Sequence, residues 1–136
     1  MVTGALVRAG ARVIAVELHP TRVRVLRRRF ACAPVTVVQA DAADLWLPAT
    51  PFRVVANPPF GITTALLRRL LGPHSRLVAA DVVVPLPVAA RWAAGRAPGA
   101  RRWGQVFDAV VVRRLPPDAF VPPPRAAAGV LRLERH

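Results

Sequence analysis

Short runs of β-branched residues alternate along this chain with helix-forming stretches, and that alternation is its strongest constraint. Residues 12–17 (RVIAVE), 35–39 (VTVVQ), 52–56 (FRVVA) and 76–84 (RLVAADVVV) are apolar runs of strand length. Continuous apolar runs of this kind suit strands of a parallel sheet buried on both faces. Between them the periodicity is helical. Residues 2–10 predict a helix stopped by Gly10, because glycine accepts the left-handed conformation that ends helices. Pro20 opens a helix over about 20–31, where the missing proline N–H costs nothing. Residues 62–71 (ITTALLRRLL) predict a helix closed by Gly72-Pro73, and 88–94 a short one. Residues 105–114 and 128–134 read as two late strands separated by a proline-rich loop holding Pro116, Pro117, Pro122, Pro123 and Pro124. The expected fold class is α/β, an open and mostly parallel sheet with helices on both faces.

A length of 136 residues fits one domain, and 54% hydrophobic residues supply its core. No unbroken apolar run reaches the ~18–20 residues of a membrane span. The start, Met1-Val2-Thr3-Gly4, lacks the pattern of a signal peptide. The single cysteine, Cys32, excludes an internal disulfide and any multi-cysteine metal site. His19, His74 and His136 have no ligand spacing, so no metal is expected. A reducing cytoplasm is the expected compartment, with no membrane partner and no obligate protein partner.

Charge then narrows the function. Twenty basic residues, all arginine, stand against seven acids, for a net charge of +13. A GC-rich coding sequence accounts for arginine over lysine but not for the scarcity of acids. Such an imbalance points to a polyanion, nucleic acid before membrane. Arg27-Arg28-Arg29, Arg68-Arg69, Arg101-Arg102 and Arg113-Arg114 are candidate phosphate contacts, although any one pair also suits a solvated face. Trp46, Trp92 and Trp103 suit either RNA stacking or anchoring of the core and loops.

Open α/β sheets bind ligands beyond the C-terminal ends of their strands. Glu17, Asp41 and Asn57 all lie there, each at or just past a predicted strand end. They are expected to line one edge of the sheet. An acid at Glu17 suits ribose hydroxyls, and one at Asp41 an adenine amine; Asp44 suits a turn cap. Asn57-Pro58-Pro59-Phe60 directly follows the third run. Two prolines fix φ twice and hold the preceding residue extended. Asn57 and the Pro58 carbonyl offer two acceptors that can converge on an exocyclic amine, and Phe60 offers a stacking face. A plain proline turn with Phe60 in the core is the competing reading.

These residues resemble a known family. VIAVEL, VVQADAADL and VVANPPFGITTALLRRLL are similar to the rRNA adenine N6-methyltransferases, especially the erythromycin-resistance (Erm) branch. Phe120-Val121-Pro122-Pro123-Pro124 resembles that family's F-x-P-x-P segment. The resemblance implies a Rossmann-like methyltransferase sheet with S-adenosylmethionine as methyl donor. It implies a 23S rRNA adenine as substrate, whose methylation blocks macrolide, lincosamide and streptogramin B binding. By the same resemblance Glu17 holds the cofactor ribose and Asp41 its adenine amine, with Ala42 alongside. Asn57, Pro58 and Phe60 hold the target base, Asn57 also bordering the cofactor, and Phe120 forms a second wall.

The chain departs from the family in several places. Relatives carry a first strand and a glycine-rich loop before the helix that begins here, and a helical RNA-contacting domain at the C-terminus. Residues 1–136 therefore read as a partial catalytic domain without that helical domain, its missing strand expected in mid-sheet between the first and third runs. Pro85 and Pro87 stand where relatives usually have Gln and Glu, and Ala126-Ala127-Ala128 replaces a more polar stretch. His19 replaces an Asp or Asn. Besides the methyltransferase, two readings stay open at this point: an inactive remnant that only binds RNA, and a DNA adenine N6-methyltransferase, which also uses N-P-P-[FY].

Overall fold

The computed structural model describes residues 2–119 and 127–136. It divides into two compact units, one running to Trp46 and one beginning at Leu47.

The first unit contains α1 (Val2–Arg8), β1 (Val13–Glu17), α2 (Pro20–Arg29) and β2 (Val35–Gln39). Gly10 at φ +88° ends α1 as the sequence predicts, and the Ala11 N–H bonds back to Leu6. Pro20 sits in the first turn of α2, where His19 Nδ1 accepts from the Thr21 N–H at 3.3 Å. β1 and β2 pair in parallel, Val13 opposite Val35 through Glu17 opposite Gln39. Val13 and Ala15 are buried, as is Val23 of α2, which packs on both strands. The other face is open: Ile14 is 58% exposed and Val38 39%. The expectation that these strands are buried on both faces therefore fails among the described residues. β-Branched composition reports strand preference; it does not say what covers each face.

The second unit contains β3 (Phe52–Ala56), α3 (Thr63–Leu70), β4 (Leu77–Pro85), α4 (Leu86–Ala93), α5 (Ala100–Trp103), β5 (Phe107–Leu115) and β6 (Ala128–Arg135). Its strand order is β3-β4-β6-β5. β3 and β4 are parallel, whereas β6 is antiparallel to both β4 and β5. The strands thus form two sheets, in keeping with the expected absence of a mid-sheet strand between the first and third runs, and within the larger sheet β6 runs antiparallel to its neighbours. β5 and β6 are adjacent in the sheet and joined by a proline-rich stretch that carries no crossover-helix pattern. Neighbours joined in that way pair antiparallel.

Leu77, Ala80, Val82 and Val84 of β4 and Leu131 and Leu133 of β6 are buried. Each such Val or Leu contributes roughly 1.5–3 kcal/mol through burial. α4 packs on β4, β5 and β6. A Cβ at Gly129 would lie 3.1 Å from Leu86 Cδ1 and 3.4 Å from the Ala89 Cβ, so the missing side chain is what lets α4 lie close to β6. Trp92 and Trp103 are buried and stacked, with ring centroids 5.2 Å apart. Trp103 Nε1 also donates to the Pro98 carbonyl at 3.1 Å. Both tryptophans are core anchors rather than RNA-stacking faces. The one-turn helix α5 has no counterpart in the sequence reading, because four residues are too few to show a period.

Candidate active site

Two acids occupy the C-terminal edge of the β1–β2 pair. Glu17 is the last residue of β1, and half-buried. Its Oε1 accepts the His19 N–H at 3.2 Å and lies 3.6 Å from Arg22 Nη1. Gln39, opposite it on β2, donates from Nε2 to the Leu18 carbonyl at 3.4 Å, which ties the two strand ends together. Asp41 lies two residues beyond β2. Its Oδ1 accepts the Ala43 N–H at 2.9 Å and caps a single 3₁₀ turn, Ala42–Asp44. The cap is therefore Asp41 rather than Asp44. Asp41 is exposed and Ala42 half-buried. Each carboxylate keeps an oxygen beyond these backbone bonds.

The proline loop follows β3 in the second unit. Asn57 is exposed, and its side chain makes no hydrogen bond among the described residues. Pro59 is extended, at φ −53° and ψ 137°. Phe60 then begins a 3₁₀ turn, Phe60–Ile62, and is 38% exposed. A core phenylalanine would be covered, so the plain-turn reading with Phe60 buried does not hold. The Ile62 N–H donates to the Pro59 carbonyl at 3.1 Å, and the Thr63 N–H to the Phe60 carbonyl. These bonds fasten the loop to α3, whose Leu66, Leu67 and Leu70 are buried. Glu17 and Asp41 thus share one end of the β1–β2 pair, while Asn57 follows the last residue of β3 in the other sheet.

Phe120 and the Phe120-Val121-Pro122-Pro123-Pro124 segment lie outside the described residues. Cys32 is exposed. Trp46 is 92% exposed and remains the tryptophan open to stacking. Arg27, Arg28, Arg29, Arg101, Arg102, Arg113 and Arg114 are all exposed, and Arg27 also donates to the Val37 carbonyl at 3.5 Å. Among the described residues no helix is long and apolar enough to cross a membrane.

A separate depression of about 400 Å³ lies over β5 and β6, lined by Asp108, Val110, Val112, Arg132, Glu134 and Arg135. Beside it Arg132 and Asp81 form a fork, with contacts of 2.8 and 3.0 Å. The Asp81 hydrogen bonds and charge raise the Arg132 guanidinium pKa further above its ordinary range. This depression is two strands away from the proline loop in the sheet order. Sequence reasoning also passed over two residues beside the site, Arg22 and Thr63. Arg22 had no signal beyond its place in the first turn after Glu17. Thr63 had one: it is the first position of the buried stripe of α3.

Comparison with known proteins decides what this arrangement belongs to. The family model for ribosomal RNA adenine dimethylase matches residues 1–136. The chain belongs to that family. The mycinamicin-resistance protein MyrB of Micromonospora griseorubida is 39% identical over 138 residues, covering 98% of this chain and 43% of MyrB. A ribosomal RNA small subunit methyltransferase A of Synechococcus sp. (strain JA-2-3B'a(2-13)) is 34% identical over 143 residues, covering 96% of this chain and 50% of that protein. The crystal structure of the 23S rRNA methyltransferase ErmE superposes with a TM-score of 0.84 at 25% identity, over 92% of this chain and 52% of ErmE. The chain spans about half the length of the curated relatives it matches. Its fold is the Rossmann-like α/β fold of S-adenosylmethionine-dependent methyltransferases.

These acceptors suit the cofactor of this family. Glu17 and Asp41 are acceptors on adjacent parallel strand ends, each oriented by a backbone N–H. Ribose hydroxyls and an adenine amine are donors, so the two acids complement a nucleoside.

Proposed function

We propose that this family member is an rRNA adenine N6-methyltransferase of the Erm branch, acting on a 23S rRNA adenine and conferring macrolide–lincosamide–streptogramin B resistance. Residues 1–136 carry its catalytic part. The observation that carries this reading is the loop after β3, an exposed Asn57 and a partly exposed Phe60 on a proline-stiffened turn. The similarity to MyrB and ErmE favours the Erm branch.

S-adenosylmethionine supplies a methyl group already activated on sulfonium sulfur. The chain's own residues supply position. Glu17 would hold the ribose through its hydroxyls and Asp41 the adenine amine, with Ala42 alongside. The Asn57 side-chain carbonyl and the Pro58 carbonyl accept the two N–H bonds of the target amine. That pairing would make the nitrogen lone pair, otherwise delocalised into the ring, more available for attack. Phe60 would stack on the base once it has left its helix. Most of the rate gain in such a site comes from alignment.

Several relatives act by name on the small ribosomal subunit, which favours a second reading in which this chain does the same. Methyl transfer from labelled S-adenosylmethionine to separated large- and small-subunit rRNA distinguishes the two. Label on an adenine N6 of 23S rRNA is the expected result. Label confined to small-subunit rRNA would replace the Erm assignment with the second reading. RNA binding without transfer in the complete protein would point to a binding role alone, and label on DNA adenines to the DNA-directed alternative.

A further inference from the structure

The buried residues of α3 are Thr63, Leu66, Leu67 and Leu70. This is the i, i+3, i+4, i+7 spacing of a core-facing stripe, whose positions favour apolar side chains. Threonine holds the first of them, at 3% exposure. Its Oγ1 is buried without a hydrogen bond, the one such side-chain atom among the described residues. Buried polar atoms in native folds are normally paired, and valine would fill the same space without this cost. An arrangement of its surroundings that offered the hydroxyl an acceptor would recover this cost.

The acceptors within its reach are set by helix geometry. A threonine hydroxyl on a helix bonds the carbonyl three or four residues back. For Thr63 these are Phe60 and Pro59, both in the loop that presents the candidate base contacts. Each carbonyl already accepts one backbone N–H, from Thr63 and Ile62 respectively. A carbonyl oxygen has two lone pairs, so each can take one more donor. The side chain is buried, while these two carbonyls lie on the loop.

We propose that Thr63 is a positioning residue for the loop Asn57–Ile62. Its hydroxyl donates to the Pro59 or Phe60 carbonyl in the arrangement that seats the target adenine, and it is released when the loop returns to the arrangement described here. The link to adenine rests on the reading of Asn57 and Phe60 as base contacts; the coupling between Thr63 and the loop does not.

The test compares Thr63→Val, which keeps shape and removes the hydroxyl, with Thr63→Ser, which keeps the hydroxyl. NMR relaxation dispersion on the Gly61 and Ile62 amides reads the loop, thermal melting reads the fold, and steady-state methyl transfer reads kcat and KM. The parent and Thr63→Ser should show microsecond-to-millisecond exchange at both amides, and Thr63→Val should lose it. Thr63→Val should melt at the parent temperature or above, since no satisfied bond is lost. Its kcat should fall about 3- to 10-fold, the worth of one net hydrogen bond, with KM unchanged. Loop exchange in Thr63→Val equal to the parent's would overturn the proposal. So would a melting point several degrees lower, which would mean the hydroxyl is already bonded in the arrangement described. If Asn57→Ala leaves methyl transfer intact while Thr63→Val still abolishes loop exchange, the base-pocket reading fails and the coupling stands.

Discussion

At the ends of β1 and β2 the carboxylates of Glu17 and Asp41 are each held by a backbone N–H, at 3.2 and 2.9 Å. At the end of β3 the Asn57 side chain has no such restraint, and the backbone beneath it is restricted only in φ, at Pro58 and Pro59. The two regions orient their functional groups by different means. Hydrogen bonds preset the acids without any ligand, which suits the binding of a cofactor. Prolines preset the loop backbone and leave the amide to find its partner when a base arrives. A ligand contact formed only as the reacting group is aligned affects rate more than affinity. Substitutions in the two regions should therefore separate kinetically.

The largest effect is expected at Asn57. In the active enzyme Asn57→Ala should lower methyl transfer about 10²-fold or more, as when a single transition-state hydrogen-bond partner is removed. S-adenosylmethionine affinity, measured by calorimetry, should stay within about twofold, since the loop would contact the base rather than the nucleoside half of the cofactor. Transfer at the parent rate would remove Asn57 from the pocket. A large loss of cofactor affinity instead would erase the contrast between the two regions.

The acids should show the opposite signature. Asp41→Asn keeps a good helix-turn cap but replaces a charged acceptor by a neutral one, which should weaken cofactor binding about tenfold. Asp41→Ala also loses the bond to the Ala43 N–H and with it about 0.5–2 kcal/mol of local stability. The pair therefore separates ligand contact from turn geometry. Equal affinities for Asp41→Asn and the parent would leave Asp41 a cap and nothing more.

The positions of these residues were legible in the sequence for physical reasons. β-Branched runs gave β1 through β4, and a polar residue just past each of three runs gave Glu17, Asp41 and Asn57. Gly10 and Pro20 marked helix ends because glycine accepts a left-handed φ without penalty and proline suits a first helical turn. The pairing of the late strands was not legible. The insertion of β6 between β4 and β5 depends on contacts between residues far apart in sequence, which no local pattern reports. The open face of Ile14 and Val38 failed for a similar reason, since an apolar side chain does not name its neighbour. Thr63 was hidden because threonine at a helix start reads as an ordinary cap candidate until its burial is known.

A smaller effect tests the proline side of the contrast. Pro59→Ala should leave the extended conformation accessible but no longer enforced, releasing about 0.4–1 kcal/mol of chain entropy. Methyl transfer should fall about two- to fivefold, with cofactor affinity unchanged. A loss as large as that of Asn57→Ala would mean that Pro59 contacts substrate directly.

The smallest effect should be a gain, and it lies on the acidic side. His19 caps α2 through Nδ1, which accepts from the Thr21 N–H at 3.3 Å. Aspartate is a better N-cap than histidine and adds a negative charge where the helix dipole favours one. α2 has no acid in its first turn and ends in Arg27, Arg28 and Arg29, so its charges already follow the dipole at the other end. The gain has one opponent, since the Glu17 carboxylate accepts from the His19 N–H and would face a second acid two residues away. Arg22, 3.6 Å from Glu17, offsets part of that repulsion. His19→Asp should therefore raise stability by about 0.5–1 kcal/mol, read by urea unfolding. Cofactor affinity should not change, because the new side chain caps a helix and leaves the Glu17 bond to residue 19's own N–H in place. A drop in affinity would show that a second charge beside Glu17 disturbs its carboxylate, and that this restraint is weaker than the 3.2 Å bond suggests.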